Sequence, residues 1–292
     1  MTAQTLKTVF YTSFALLAFA GNSVLCRLAL GENTIDAASF TIIRLLSGII
    51  TLLIILKLTR NNGKIVSRGS WSAAFMLFLY ALTFSFAYIS LDTGTGALIL
   101  FGAVQITMIF ISLFSGNRLH YFEWAGMAIA FSGFAYLVTP SLTTPSLTGF
   151  FLMAVAGIAW GFYTLKGRHS QNPISDTAYN FLRTLPLVII LLAVSLPYAS
   201  LSREGVLLAI LSGAVASGIG YAVWYIALGG LDVSKAAVVQ LLVPVIAATG
   251  GVLFAGEIIS QRLILSSVMV LGGILTVVMG KHYLAQRAMR NK

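Results

Sequence analysis

The chain has 292 residues, of which 58% are hydrophobic and only 9% charged, with a formal net charge of +10. A soluble domain of that length cannot hide so much apolar surface, so a polytopic membrane protein is expected, with little chain left for a soluble domain. The basic excess does not mark a nucleic-acid binder, because no folded basic domain exists to carry it, and the lone Cys26 leaves no internal disulfide and no multi-cysteine metal site.

Ten apolar runs of near-bilayer length are predicted as membrane helices, over 8–28, 39–58, 71–91, 96–115, 122–138, 148–165, 177–197, 206–228, 236–255 and 263–280. Several are short, so tilt or local thinning is expected. Turn chemistry separates the runs at Asn61-Asn62-Gly63, Asp92-Thr93-Gly94, Gly116-Asn117, Pro140 to Pro145, Asn172-Pro173, Gly229-Gly230 and Gly256-Glu257. Lys7, an apolar run and Ala18-Phe19-Ala20 imitate a cleavable signal peptide, but the run continues to Leu28, so the segment reads as a retained helix 1.

Along the chain the helices carry different side chains. Helix 1 is small and polar at its centre, with Ala18, Asn22 and Ser23, and Asn22 suits a bond between helices. Helix 2 holds Arg44 inside an apolar run. Helix 3 carries Tyr80, Phe84 and Tyr88 at i, i+4 and i+8, hence on one face, and helix 4 carries Gln105. Helix 5 offers Gly126, Ala130 and Gly133. Helix 6 has Gly157, Trp160, Gly161, Tyr163 and Thr164, and helix 7 has Arg183 and Pro186. Helix 8 carries Ser217, Gly218, Tyr221 and Trp224, with Tyr225 beside them; helix 9 holds Gln240 and Pro244; helix 10 holds Gly272 and Gly273.

These runs repeat. At an offset of 139 residues Ala15–Ser47 lies over Ala154–Pro186 without a gap, so that Asn33 meets Asn172, Ile35 meets Ile174 and Arg44 meets Arg183. At an offset of 140, Asp92 meets Asp232, Ala97 meets Ala237, Gly116 meets Gly256 and Gly133 meets Gly273. The units read as a first repeat over 1–140, a linker over 141–147, a second repeat over 148–281 and a basic tail over 282–292. Five helices per repeat is an odd number, so the second copy enters from the opposite side and the halves are inverted, the usual architecture of a secondary transporter.

Charge sets the orientation. With the N-terminus placed in the cytoplasm, thirteen basic residues fall on the inner side, among them Lys57, Arg60, Lys64, Arg68, Arg118, Lys166 and the tail, whereas Arg27, Arg203 and Arg262 fall outside. Both termini are therefore expected in the cytoplasm.

The eight acidic residues and His120, His169 and His282 all fall in predicted loops or at helix ends. That pattern lacks the midplane relay of a proton-coupled carrier and the clustered base or metal ligands of a membrane hydrolase. The chain has no Gly-Lys-Ser/Thr phosphate loop, so an ATP-driven pump is excluded for it alone. No catalytic residue, metal or cofactor is expected. Arg44 and Arg183 must face protein or water, where they either brace free carbonyls of bent helices or hold an anionic group. Asn22, Tyr80, Phe84, Tyr88, Gln105, Trp160, Tyr163, Tyr221, Trp224 and Gln240 are the expected cavity wall, whose rings offer apolar surface with hydroxyl handles. Pro244, Gly161 and Gly218 are the expected flexing points. Helices 5 and 10 read as peripheral scaffold or as a homodimer contact.

Two five-helix repeats, an arginine in the second helix of each, and Pro244 to Gly256-Glu257 followed by a glycine-containing tenth helix resemble the EamA-type drug/metabolite transporters over nearly the whole chain. The first copy departs from that pattern, with Val104 at the place of Pro244 and Asn117 at the place of Glu257, so helix 4 is expected to be straighter than helix 9. The aromatic third helix is similar to that of the bacterial YddG-type amino-acid exporters. The resemblance implies export of small metabolites, often amino acids, through a central cavity lined by helices 1–4 and 6–9. A multi-pass protein of the bacterial inner membrane is expected, taking small neutral or zwitterionic metabolites by alternating access. Carriage of anionic or nucleotide-sugar-like metabolites would need both arginines in one water-filled cavity, and a non-transporting structural subunit would have no need of polar groups at matching depths.

Overall fold

A computed structural model describes residues 3–59, 68–114, 121–139, 145–167, 170–228, 230–231 and 238–290, except for the side chains of 3–5, 112 and 281–290. The expected turns at 61–63 and 116–117, and Arg60, Lys64, Arg118, His120, Pro140, Arg168, His169, Gly229, Asp232 and Lys235, lie outside the described residues.

Among the described residues the chain is all helical and forms ten rods. They are α1 (Ala3–Gly31), α2 (Ala37–Thr59), α3 (Trp71–Ala87), α4 (Thr93–Phe114), α5 (Tyr121–Val138) and α6 (Leu147–Gly167), then α7 (Pro173–Tyr198), α8 (Arg203–Leu228) and α9 (Val238–Ala255), and α10 (Gln261–Arg290). Eight are long and apolar enough to cross a bilayer. The other two fall short for local reasons. Helix α3 has 17 residues, because Tyr88–Ser90 turn out of the helix before the expected end at Leu91. Helix α5 has 18 residues and carries Glu123 in its first turn, with Tyr121, Trp124 and Tyr136 further lowering its hydropathy. The segment expected as a basic tail continues α10 as helix to Arg290.

Three rods are interrupted. Helix α7 runs Pro173–Leu182, turns at Arg183-Thr184, and resumes at Leu185–Ser195 with Pro186 in the first turn, where its missing N–H costs no bond. Helix α8 holds a π-helical stretch, Ser212–Ile219, between Arg203–Leu211 and Gly220–Leu228. Helix α9 breaks at Leu241-Leu242, and Pro244 opens the Val243–Ala255 segment. That segment ends on Gly256, whose φ of 63° suits a residue without a Cβ.

The main packing partners join the two halves. Helix α3 packs on α6 as α8 packs on α1, and α4 packs on α6 as α9 packs on α1; α4 meets α9, α2 meets α7, α2 meets α8 as α3 meets α7, and α5 meets α10. Each of these contacts maps onto another, or onto itself, when helix n is exchanged with helix n+5, as a two-fold relation between halves requires. Glycines set the closest approaches. A Cβ on Gly126 would lie 2.6 Å from the carbonyl oxygen of Gly273, and one on Gly273 would lie 2.5 Å from that of Gly126. The small faces expected as peripheral scaffold or dimer contact therefore join α5 to α10 within one chain, while Gly272 alone of that set meets nothing within 4 Å.

The loops tie together on two opposite faces. On one, the Asp36 carboxylate accepts from the backbone N–H of Ser200 at 2.9 Å and of Ser39 at 2.9 Å, and Ile35 and Leu201 form an antiparallel bridge. Glu257 there accepts from Thr93 N at 2.9 Å and from Arg27 Nε at 3.2 Å, and Arg27 also pairs with Asp92 at 3.4 Å. On the other face, Asp176 accepts from Gly69 N and Asn180 from Ser70 N, each at 2.8 Å. Loops α1–α2, α3–α4, α7–α8 and α9–α10 thus share one side, and α2–α3 and α6–α7 share the other, the sidedness expected for alternating spans.

Candidate functional site

The centre of the bundle is an aromatic cluster drawn from both halves. Helix α1 contributes Phe19 and Asn22, α3 contributes Tyr80 and Phe84 with Tyr88 at its C-cap, α6 contributes Trp160 and Tyr163, and α8 contributes Tyr221 and Trp224; all are buried. Spacings of three or four residues bring each set to the inner face of its helix. The Tyr80 and Trp160 rings lie 4.8 Å apart, Trp160 and Tyr221 4.9 Å, and Trp160 and Tyr163 5.3 Å. Phe84 bridges Tyr80 at 5.3 Å and Tyr88 at 4.8 Å, while Phe19 stands 5.8 Å from Tyr221 and 5.7 Å from Trp224. Such tilted and edge-on pairs suit the ring quadrupoles. The rings rest on one another, so this conformation is closed at the centre.

Arg44 lies within the cluster, 1% exposed. Its Nη2 donates to Tyr80 Oη at 2.9 Å, its Nε donates to Ser217 Oγ at 3.4 Å, and its Nη1 has no hydrogen-bond partner. The guanidinium carbon stands 5.1 Å from the Tyr80 ring centroid and 4.9 Å from that of Phe84. Helix α8 reaches this depth because Gly213 in its π stretch lies against the backbone of α2; a Cβ there would sit 2.0 Å from the Arg44 carbonyl oxygen. Asn22 donates to Tyr80 Oη at 3.5 Å and accepts from Ser212 Oγ at 2.6 Å, which joins α1, α3 and α8.

Arg183 is placed differently. It stands at the α7 turn, donates to the Arg68 carbonyl, and lies over the Trp71 ring at 5.5 Å. Trp71 begins the helix in which Tyr80 sits nine residues later, about 13 Å further along the axis. The two repeat-related arginines therefore do not meet in one cavity. Gln105 and Gln240 are buried on α4 and α9 but make no hydrogen bond or ring contact with the cluster among the described residues. Pro244 lies beside a real helix break and Gly218 inside the π stretch, whereas Gly161 sits in unbroken helix, where a Cβ would come 3.1 Å from Thr107.

Phe19 escaped the sequence reading, although it lies one turn before Asn22 on the same helix face. The ties Arg27–Glu257 and Asp36–Ser200 also gave no local signal, because their partners are 230 and 164 residues apart. For Asp36, burial works to raise the carboxyl pKa, but hydrogen bonds from Ser39 and from the backbone of Ser39, Ser200 and Ala38 outweigh it and hold the group below its ordinary value. A separate cavity of about 450 Å³ opens beside Glu257, lined by Ser90, Asp92, Thr95, Ser146 and Ala248 among others, and the aromatic cluster is not part of its wall.

Described carboxylates all lie in loops or in first helical turns: Glu32, Asp36, Asp92 and Glu257 in the former, Glu123, Asp176 and Glu204 in the latter. A membrane bundle whose halves exchange by a two-fold, closed around neutral rings and one cation, is the build of a secondary transporter. Comparison with known proteins narrows the class. The EamA-like transporter family matches residues 147–279. A protein of Pseudomonas aeruginosa, itself uncharacterised, is 47% identical over 92% of this chain and 93% of its own length. A probable amino-acid metabolite efflux pump of Escherichia coli is 24% identical over 70% of this chain and 77% of its own, and an uncharacterised transporter of Archaeoglobus fulgidus is 28% identical over 68% and 73%. A solved crystal structure shares the fold with a TM-score of 0.63, at 19% identity over 91% of this chain and 98% of that one. The chain belongs to the EamA-like transporter family, and it is a transporter rather than an enzyme.

Proposed function

We propose that this transporter exports small neutral or zwitterionic metabolites, foremost amino acids, from the cytoplasm across a bacterial inner membrane. The observation that carries the reading is the meeting of Tyr80, Trp160 and Tyr221 from both halves around Arg44, a site of apolar faces and hydroxyls with one cation. Such a site suits a small organic solute with an apolar body and a polar head. The similarity to a probable amino-acid metabolite efflux pump supports the same class of solute. The repeats, 1–140 and 148–281, rock about this point, with helices α1–α4 and α6–α9 as the path and the breaks at Pro244 and in the π stretch as flexing points. Both termini lie in the cytoplasm. Carboxylates at the helix ends favour a facilitator without a proton relay.

The test is uptake of labelled neutral amino acids into proteoliposomes, with no pH gradient and the membrane potential clamped. Uptake should proceed, saturate and show counterflow from preloaded vesicles. Strict dependence on an imposed proton gradient overturns the facilitator, and no movement of any small metabolite by folded protein overturns transport altogether.

A further inference from the structure

We propose that Arg44 is the docking point for a free carboxylate on the transported molecule, so that the carrier selects carboxylate-bearing solutes and rejects their amides and amines. This deepens, and rests on, the transporter reading above.

Buried cations are ordinarily paired with an anion or given a full set of acceptors, because desolvation without compensation is costly. Arg44 is 1% exposed, yet its bonded partners are two neutral hydroxyls, those of Tyr80 and Ser217, and its Nη1 has none. The other arginines that reach across the fold are satisfied otherwise. Arg27 pairs with Glu257 and Asp92. Arg183 and Arg262 donate to main-chain carbonyls, those of Arg68 and Leu137 respectively. Bracing of free carbonyls therefore describes Arg183 and leaves Arg44 unexplained: among the described residues no backbone acceptor and no carboxylate engages its guanidinium.

An unpaired guanidinium at membrane depth marks a substrate path. Its planar fork matches a carboxylate through two parallel N–H bonds, and Nη1 together with the second hydrogen of Nη2 supplies such a pair. Tyr80 and Ser217 fix the rest of the fork in place, so the free edge keeps its direction. Phe84, whose ring the guanidinium overlies at 4.9 Å, and Trp160, packed on Tyr80, supply apolar surface in the same cluster for the rest of the solute. In the closed conformation these rings hold the cation out of water. When the halves part, water and the anion compete for the free edge of Arg44, and the charge-assisted fork favours the carboxylate.

An amino acid and a simple carboxylic acid present the same group, and matched probes separate them. Proteoliposomes carrying the full chain take up a mixture of labelled neutral amino acids. Competition is measured with phenylalanine, phenylpropionate, phenylalaninamide and phenethylamine. Phenylalanine and phenylpropionate should compete, phenylpropionate doing so without an amine, and the amide and amine should be at least tenfold weaker. Competition by phenylalanine alone narrows the solute to a zwitterion and leaves the carboxylate contact in place. Arg44→Lys should raise the half-saturation concentration tenfold or more, and Arg44→Gln should abolish the preference for acid over amide. Equal competition by acid and amide in the unaltered protein overturns the assignment without need of any variant that folds. So does folded Arg44→Gln with unchanged half-saturation. If the protein moves only solutes that lack a carboxylate, transport stands and the role of Arg44 is wrong. If folded protein moves none of them, the transporter reading itself fails and this inference goes with it.

Discussion

Single residues hold this bundle at points where the backbone leaves no slack. Gly213 is the tightest, since an added Cβ would fall 2.0 Å from both the Arg44 carbonyl oxygen and Ser47 Oγ. Gly213→Ala should cost about 1–3 kcal/mol through overpacking and lower both the folded yield and the Tm in detergent. Gly256→Ala is the contrast: nothing lies within 4 Å of its Cβ position, and only the φ of 63° resists. It should cost about 1 kcal/mol, and an equal or larger fall in Tm than for Gly213→Ala would contradict the packing argument. Asp36 supplies a pH dependence. Its folded-state pKa is depressed, so its contribution is full above the unfolded value of about 3.9 and fades as pH falls through the lower folded value. Asp36→Asn keeps an oxygen to accept from Ser39 N but loses the acceptor for Ser200 N; it should flatten the acid limb of a Tm-against-pH curve below about pH 4 and should lower Tm at pH 7 through the lost bond, worth about 1 kcal/mol.

At the scale of elements, α5 and α10 form a pair of their own beside the central eight helices. The Gly126–Gly273 contact brings their backbones together, and the Cβ of a larger residue at Gly126 would strike a carbonyl oxygen and Val277. Gly126→Leu should therefore reduce folded protein sharply, while Gly272→Leu, at an open position, should leave yield and Tm nearly unchanged. Size-exclusion chromatography of Gly272→Leu also tests the homodimer once expected through these helices: an unchanged elution volume removes that face from any dimer contact. The same two helices show what a sequence can tell. Their glycines were visible as flat faces, but whether a flat face meets a neighbour in its own chain or in another copy is a tertiary fact. The π stretch of α8 had no signal at all, because the glycines that let it lie against α2 are common in membrane helices. The breaks in α7 and α9 were readable, since proline announces them.

For the molecule as a whole, the ten helices, their alternation and the inward stripes of Tyr80, Phe84 and Tyr221 were legible, because hydropathy and helical spacing are local properties. The different fates of Arg44 and Arg183 were not, because the repeat gives them equal standing and only their acceptors separate them. Loop ties fix which loops share a face, and the basic residues predict which face is cytoplasmic. Single cysteines at Ser200 and Gln171, both exposed, test this in a Cys26→Ala background. An impermeant thiol reagent outside intact cells should label Ser200→Cys and reach Gln171→Cys only after permeabilisation; the reverse pattern would invert the orientation.

The two faces are tied by different residues. One side is joined by the ion pairs of Arg27 with Glu257 and Asp92 as well as by Asp36, and the ties of the other include Asp176, Asn180 and the bond of Arg183 to a carbonyl. Opening the side held by Arg27 breaks those ion pairs, and added salt weakens them. A passive carrier built this way cannot bias where its solute comes to rest, since at equilibrium the ratio of maximal rate to half-saturation must be the same in both directions. The ties surface in the separate constants: each direction of flow has its own maximal rate and its own half-saturation concentration, and ionic strength, by weakening the Arg27 pairs, shifts them while leaving the two ratios equal.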